Sequence, residues 1–175
     1  MKEIPLTQGK VALVDDEDYE ELSEYGWYAH QATKSLCYAG RNNKKSNGKT
    51  SVIGLHRQVM RAKTGQIVDH INRNGLDNRK QNLRICSHKQ NLWNQESTSG
   101  SSKYKGVHLE ADKQRPGRKK RWRAKITYNK NTVRLGRHLT EEEAAKAYDT
   151  AALKHHGEFA RLNFPLDDEK APSHN

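Results

Sequence analysis

Apolar residues come in short, separated bursts along this chain, so the elements they predict are short as well. Residues 10–14, KVALV, read as a strand, and residues 15–25 as an acidic helix. Strands are expected over 27–32 and 36–41, a polar turn over 42–49, and a short helix over 55–62. Residues 67–70 and 82–85 follow as two further strands around a loop rich in Asn, Gly and Arg. Ser87, with Gln90 three residues on, forms a capping box and opens a helix that contains Asn91.

After the small polar run ESTSGSS (96–102), which reads as a flexible linker, the pattern changes to three strands and one helix. In 121–128 strict alternation sets Trp122, Ala124, Ile126 and Tyr128 on one face and Arg121, Arg123, Lys125 and Thr127 on the other. Such a sheet can carry a helix on its apolar side and a phosphate backbone on its cationic side. Residues 129–131 make the turn and 132–136 return as a strand. Thr140 with Glu143 caps a helix whose stripe of Ala144, Tyr148, Ala151 and Ala152 allows close packing, and Gly157 stops it. The polar tail from residue 166 is expected to fray.

Composition limits the size of what these elements enclose. The 175 residues suffice for one ordinary domain or two small ones, and with 33% hydrophobic and 30% charged residues each core must be small. Cys37 and Cys86 stand far apart without a CxxC partner, which argues against a disulfide framework or a cysteine-based zinc site and fits a reducing cytoplasm. The first residues lack the apolar core of a signal peptide, and no run approaches membrane-spanning length. A soluble cytoplasmic protein with no membrane partner is expected.

The net charge of +11 is unevenly distributed. Residues 1–40 carry −5, 41–92 carry +10, 103–139 carry +11 and 140–175 carry −4. Two basic blocks on either side of a spacer favour a polyanion, with nucleic acid as the expected partner. Within the second block the run 118–121, RKKR, is expected to touch phosphates and not bases.

The segment VDHINRNGLDNRKQNLRICSHKQNLWN carries the chemistry. Strand, loop, strand and helix in this order bring Asp69, His70 and Asn91 within reach of one ion. Asn74, Asp77 and Asn78 read as turn formers, His56 as a packing residue or phosphate contact, and His88 as a surface residue. The constellation resembles the HNH family of ββα-metal nucleases found in homing endonucleases. Asp69-His70 matches the first-strand Asp-His, Asn82 the central Asn and Asn91 the helix position, giving a His-Asn-Asn variant over roughly residues 50 to 95. The resemblance implies that His70 is the general base and that Asn82 orients it and its loop without touching metal. It also implies that Asp69 and Asn91 supply oxygen ligands to one divalent cation, magnesium or manganese.

The pieces YKGVH, RWRAKIT, VRLGRH, EEAAKAYD and the closing LNFP resemble the AP-two/ERF domain, a three-stranded sheet laid in the DNA major groove and backed by one helix. That resemblance implies DNA contacts by Lys105, His108, Lys125, Thr127, Thr132 and Arg134, to which the cationic face adds Arg121 and Arg123. Lys125, Arg134 and His108 replace a frequent Glu, Trp and Arg, so backbone contact carries over and the base code does not.

The expected fold class is therefore α+β, a small ββα-metal nuclease domain plus a three-stranded antiparallel sheet packed on one helix. Residues 1–95 form the nuclease domain, with a β-rich N-terminal extension and a core at about 66–95. Residues 96–102 are the linker, 103–165 the DNA-binding domain and 166–175 a disordered tail. The implied activity is hydrolysis of phosphodiester bonds in double-stranded DNA, with nicking by a monomer or paired cuts by a dimer assembled on DNA. The competing reading is a catalytically inactive, DNA-binding transcriptional regulator. An RNA-binding protein is a third, for which no aromatic stacking face speaks.

Overall fold

The computed structural model describes residues 1–33, 36–95, 100–110 and 121–165, and the chain divides into two compact units, Met1–Asn91 and Leu92–Asn175. Its mixed helices and antiparallel sheets make it an α+β protein. Residues 96–99 of the expected linker, 118–120 of the basic run, and the tail 166–175 lie outside the described residues.

The first unit opens with an antiparallel pair, β1 (Lys2–Pro5) and β2 (Val11–Val14), followed by α1 (Asp16–Ser23). Next comes a three-stranded sheet of β3 (Tyr28–Gln31), β4 (Cys37–Lys44) and β5 (Thr50–Gly54). Then follow α2 (Leu55–Val59), the antiparallel pair β6 (Ile67–His70) and β7 (Leu83–Cys86), and α3 (His88–Asn94). Two strands exceed the expectation from sequence. β1 buries a single residue, Ile4, and so has no alternation to read. The expected turn over 42–49 shrinks because Asn42, Asn43 and Lys44 pair with Val52, Ser51 and Thr50. Backbone pairing there outweighs the turn preference of asparagine.

Val14, Leu22 and Leu55 are fully buried, and Trp27 closes the cluster by donating its Nε1–H to Leu22 O at 2.7 Å. Each such side chain contributes roughly 1.5–3 kcal/mol by leaving water. β2 does more than line this core. Leu13 donates its N–H to Leu76 O and accepts from Asn78 N–H, both at 2.8 Å, so the strand's free edge grips the loop between β6 and β7.

In the second unit β8 (Val107–Glu110), β9 (Arg121–Tyr128) and β10 (Asn131–His138) form an antiparallel sheet in the order β10-β9-β8. Asn129 and Lys130, at φ 49° and 65°, make the two-residue turn. The helix α4 (Glu141–His156) carries the expected capping box, with Glu143 N–H donating to Thr140 Oγ1 at 3.1 Å. Ala144, Ala145, Tyr148, Ala151 and Ala152 are buried against Val107, Ala124 and Ile126. Small residues bring the helix so close that Gly106, at φ 76°, has no room for a Cβ, which would overlap the Tyr148 ring.

The closing LNFP run has an equally specific task. Asp149 accepts hydrogen bonds from Asn163 N and Nδ2 and from Phe164 N, each at 2.9 Å, and Asn163 Oδ1 accepts from Lys105 N at 2.7 Å. The end of this unit is thereby stitched to the entry of its first strand. The boundary between the units falls within α3, ahead of residues 96–102. Trp93 stacks on His156 with ring centroids 4.2 Å apart, which accounts for the last turn of α3 belonging to the second unit.

Candidate active site

Asp69 and His70 end β6, opposite Arg84 and Leu83 of β7, and both are buried. Arg84 donates from Nε and Nη2 to Asp69 Oδ2 at 3.0 and 2.9 Å. Beyond His70 the chain makes a tight loop held by its own side chains. Asn72 Oδ1 accepts from Asn74 N–H, and Asn74 Oδ1 from Leu76 N–H, which are asparagine turns of the expected kind. Asp77 accepts from Asn72 Nδ2 at 2.9 Å and takes two hydrogen bonds from Arg79 at 2.7 Å.

Asn82, buried at 6% exposure, ties this loop shut. Its Oδ1 accepts from Asn72 N–H at 2.9 Å, and its Nδ2 donates to Asp77 O and Asn72 Oδ1 at 2.7 and 2.9 Å. The N-terminal extension braces the loop from outside. Lys80 N–H donates to Asp15 Oδ2 at 2.8 Å, and the Lys80 ammonium lies on Glu17 and Asp18. Sequence reading gave the acidic helix no such part, because its partner sits more than sixty residues away.

Asn78, Tyr38 and His56 lie against His70. Its Nε2 lies 3.3 Å from Asn78 Oδ1, and its ring packs against Tyr38 and His56 with centroids 5.7 and 5.1 Å away. Tyr38 reaches this place because the loop crosses β4 at Gly75, where a Cβ would overlap Cys37 O and the Tyr38 ring. Burial lowers the His70 pKa from its ordinary value, opposed by the Asn78 hydrogen bond and the charges of Asp69 and Asp77. Burial, then His70 and Arg57, pull His56 down to about 3. Both imidazoles are neutral at neutral pH, and His70 is in the state a general base requires.

Asn78 departs from its expected place as a turn former. It is fully buried, and its Nδ2 has no hydrogen-bond partner among the described residues. An unsatisfied buried amide costs roughly 1–3 kcal/mol. Asn78 and Tyr38 were both missed from sequence. One hid in a loop full of asparagines, and the other's alignment with His70 depends on how β4 packs on the loop. His56 is half-buried as a packing residue, and His88 is exposed, as expected.

Asn91 lies half-buried on α3, its N–H donating to Ser87 O at 3.0 Å behind the Ser87–Gln90 capping box. The Cys86 thiol senses both proposed ligands: burial and the Asp69 charge raise its pKa, while the Asn91 N–H lowers it. Among the described residues no group of three or more His, Cys, Asp or Glu gathers as a metal site. One carboxylate and one amide oxygen suit a hard cation that keeps most of its ligands as water and phosphate oxygen, and not zinc.

On the second unit's sheet, Arg121, Lys125, Thr127, Thr132 and Arg134 are exposed, and Lys125 stands opposite Arg134 in register. The Thr127 and Thr132 hydroxyls lie 3.3 Å apart. Arg123 pairs with Glu110, which also holds Arg137 at 2.8 Å. His108 sits opposite Arg123, and burial, then Lys125 and Arg123, lower its pKa. Lys105 lies ahead of β8 and donates its ammonium to Trp93 O and Gln95 O. It therefore serves the C-terminal carbonyls of α3, where cations are favoured.

Comparison with known proteins adds the family. An HNH endonuclease model matches residues 54–92, the stretch that holds His56, Asp69, His70, Asn82 and Asn91. An HNH endonuclease of Acanthamoeba polyphaga mimivirus is 30% identical over 162 residues, spanning 89% of this chain and 76% of the mimivirus protein. The chain belongs to the HNH endonuclease family. It is thus a nuclease, from a family that acts on DNA and generally depends on a divalent metal. An AP2/ERF and B3 domain-containing protein of Oryza sativa subsp. japonica is 45% identical over 65 residues, which cover 37% of this chain and 16% of that protein. No described helix is long and apolar enough to cross a membrane.

Proposed function

We propose that this HNH endonuclease is a metal-dependent, strand-nicking enzyme of the homing type, with His70 as its general base. Residues 103–165 form an AP-two/ERF-like unit that binds double-stranded DNA and targets the cut. The observation that carries the reading is a buried His70 next to Asp69 at the end of β6, on a loop that Asn82 locks at both ends. His70 takes a proton from water as the water oxygen attacks phosphorus. Asp69 and Asn91 would hold one magnesium or manganese ion, which supplies charge relief to the phosphate and the departing 3′ oxygen. Arg84 already holds Asp69 Oδ2 and so keeps that carboxylate oriented. Asn82 keeps the loop in one shape, and Arg121, Lys125, Thr127, Thr132 and Arg134 meet the duplex. Arg123 and His108 complete that face, and Lys105 supports it from the α3 end. A single site cuts one strand, so a monomer nicks, and two chains assembled on DNA would be needed for a double-strand break.

The test is cleavage of supercoiled plasmid with magnesium or manganese, by wild type and His70→Ala, with an EDTA control. Nicked circles from wild type alone are expected. Cutting that survives His70→Ala or EDTA would overturn the assignment. Binding without cutting, on phage and genomic DNA as well, would favour a transcriptional regulator.

A further inference from the structure

We propose that the tip of the β4–β5 hairpin is a DNA contact belonging to the first unit, in which Lys44, Lys45 and Lys49 take phosphates of the duplex that His70 cuts. This rests on the reading of His70 as the centre of a DNA-cutting site.

From Tyr25 to Val68 the sequence has eight Lys and Arg and no Asp or Glu. Two of the arginines are engaged inside the fold. Arg41 donates to Gln58 Oε1 and lies over the Tyr25 ring, and Arg57 donates to Gln66 O and Lys63 O. Lys44, Lys45 and Lys49 are exposed, and among the described residues none of them is held by a carboxylate. The turn nevertheless brings them together. Lys45 N–H donates to Lys49 O at 2.8 Å, and Gly48 reverses the chain at φ 76°. Like charges facing one another across a hairpin are unfavourable. Protection of an edge strand does not account for them, since β5 itself, Thr50–Gly54, carries no lysine. A polyanion bound at the tip offsets the repulsion.

The tip also stands on the face that leads to His70. Alternate side chains of a strand share a face, as do partners directly opposite across a ladder. Tyr38, which packs on His70, thus shares its side of β4 with Gly40, Asn42 and Lys44, opposite Gly54, Val52 and Thr50. Contacts agree with this placement. The His56 ring lies where a Cβ of Gly54 would stand, and Val52 Cγ1 is 3.0 Å from the place a Cβ of Gly40 would take. Tyr28, paired with Gly40, donates its hydroxyl to Asn42 Oδ1 at 3.3 Å. The other side of β4 holds Ala39 in the core, and Val52 on this side is exposed. A strip without acidic residues therefore joins the His70 ring to the lysines. Lys44 stands roughly 20 Å along β4 from Tyr38, about six base pairs at one phosphate per ~3.4 Å of each DNA strand.

The experiment measures affinity of the full chain for a DNA duplex against salt, in EDTA so that binding is read apart from cutting. The wild type is compared with Lys44→Gln/Lys45→Gln/Lys49→Gln and with a control of equal charge, Lys2→Gln/Lys146→Gln/Lys154→Gln, whose exposed lysines stand on β1 and α4. The hairpin variant should lower the slope of log affinity against log salt by about 2–3, at roughly 0.9 for each phosphate, and the control should leave it unchanged. Hydroxyl-radical footprints of the wild type should show protection about six base pairs to one side of the mapped nick, lost in the hairpin variant. An unmoved slope, or equal slopes for the two triple variants, overturns the proposal. So does a wild-type footprint without that protection, whatever the variants do, and so does a loss of affinity confined to RNA. A wild type that neither binds nor nicks a duplex would sink the DNA-cutting reading as well, whereas normal nicking with an unmoved slope sinks the hairpin contact alone.

Discussion

In residues 69–82 the polar side chains face one another, whereas in 121–134 the basic ones face away from the fold. Asp69, His70, Asn78 and Asn82 are all at most 7% exposed, and Asn82 alone makes three side-chain hydrogen bonds. On the second unit's sheet Arg123 is the one proposed contact that, among the described residues, is tied into an ion pair, and Arg121, Lys125 and Arg134 are exposed. The contrast suits the two tasks proposed for these regions. A general base must be held in one orientation before substrate arrives, and buried hydrogen bonds do that at the cost of desolvation. A phosphate contact works through net charge that salt and distance weaken, so it gains from exposure and tolerates loose geometry.

His70→Ala should have the greatest consequence. Loss of a general base should slow plasmid nicking roughly 10²- to 10⁴-fold and leave duplex affinity, read by gel shift, unchanged. A parallel loss of affinity would mean that the inward-facing residues also bind DNA. Gly106→Ala attacks the other unit through packing alone. A side chain at φ 76° that overlaps Tyr148 should destabilise that unit by roughly 2–4 kcal/mol, visible as a lower melting transition and weaker duplex binding. An unchanged transition would show that the α4 contact is looser than described.

Asn82→Leu should cost roughly 1–3 kcal/mol of first-unit stability, because Asp77 O and Asn72 N–H lose a buried partner, and nicking should fall with it. A variant that melts like the wild type would contradict the locked loop. The half-buried His56 adds a pH dependence. The unfolded chain binds a proton on His56 near pH ~6.5, and the folded one does so only near 3, so its contribution is full above ~6.5 and is lost as pH falls. Between those limits His56→Phe should flatten the stability-against-pH slope by about 1.4 kcal/mol per unit, and an unaltered slope in thermal melts would contradict the burial of His56.

The smallest effects separate free cations from engaged ones. Arg134→Ala should lower the slope of log affinity against log salt by about 1, while Lys105→Ala, already spent on Trp93 O and Gln95 O, should leave it unchanged. Equal slopes for both would erase the distinction.

How much of this was readable beforehand varies with the range of the interaction. β6, the Ser87–Gln90 and Thr140–Glu143 capping boxes, the two faces of β9 and the α4 stripe follow from contacts within a few residues, and side-chain order along the chain encodes them. β1 and the arms of the β4–β5 hairpin lacked any apolar period, because they are held by backbone pairing that carries no side-chain signature.

Residue type and spacing, which are one-dimensional quantities, thus set the α+β class and the local elements. Tertiary structure decided how the residues of the candidate site are held. That Asn78 faces His70, that Tyr38 and His56 wall the ring, that Leu13 and Asp15 grip the loop, and that Lys105 serves a helix end all depend on contacts between elements distant along the chain. Burial and hydrogen-bond satisfaction, which fix those contacts, exist only once the core has closed.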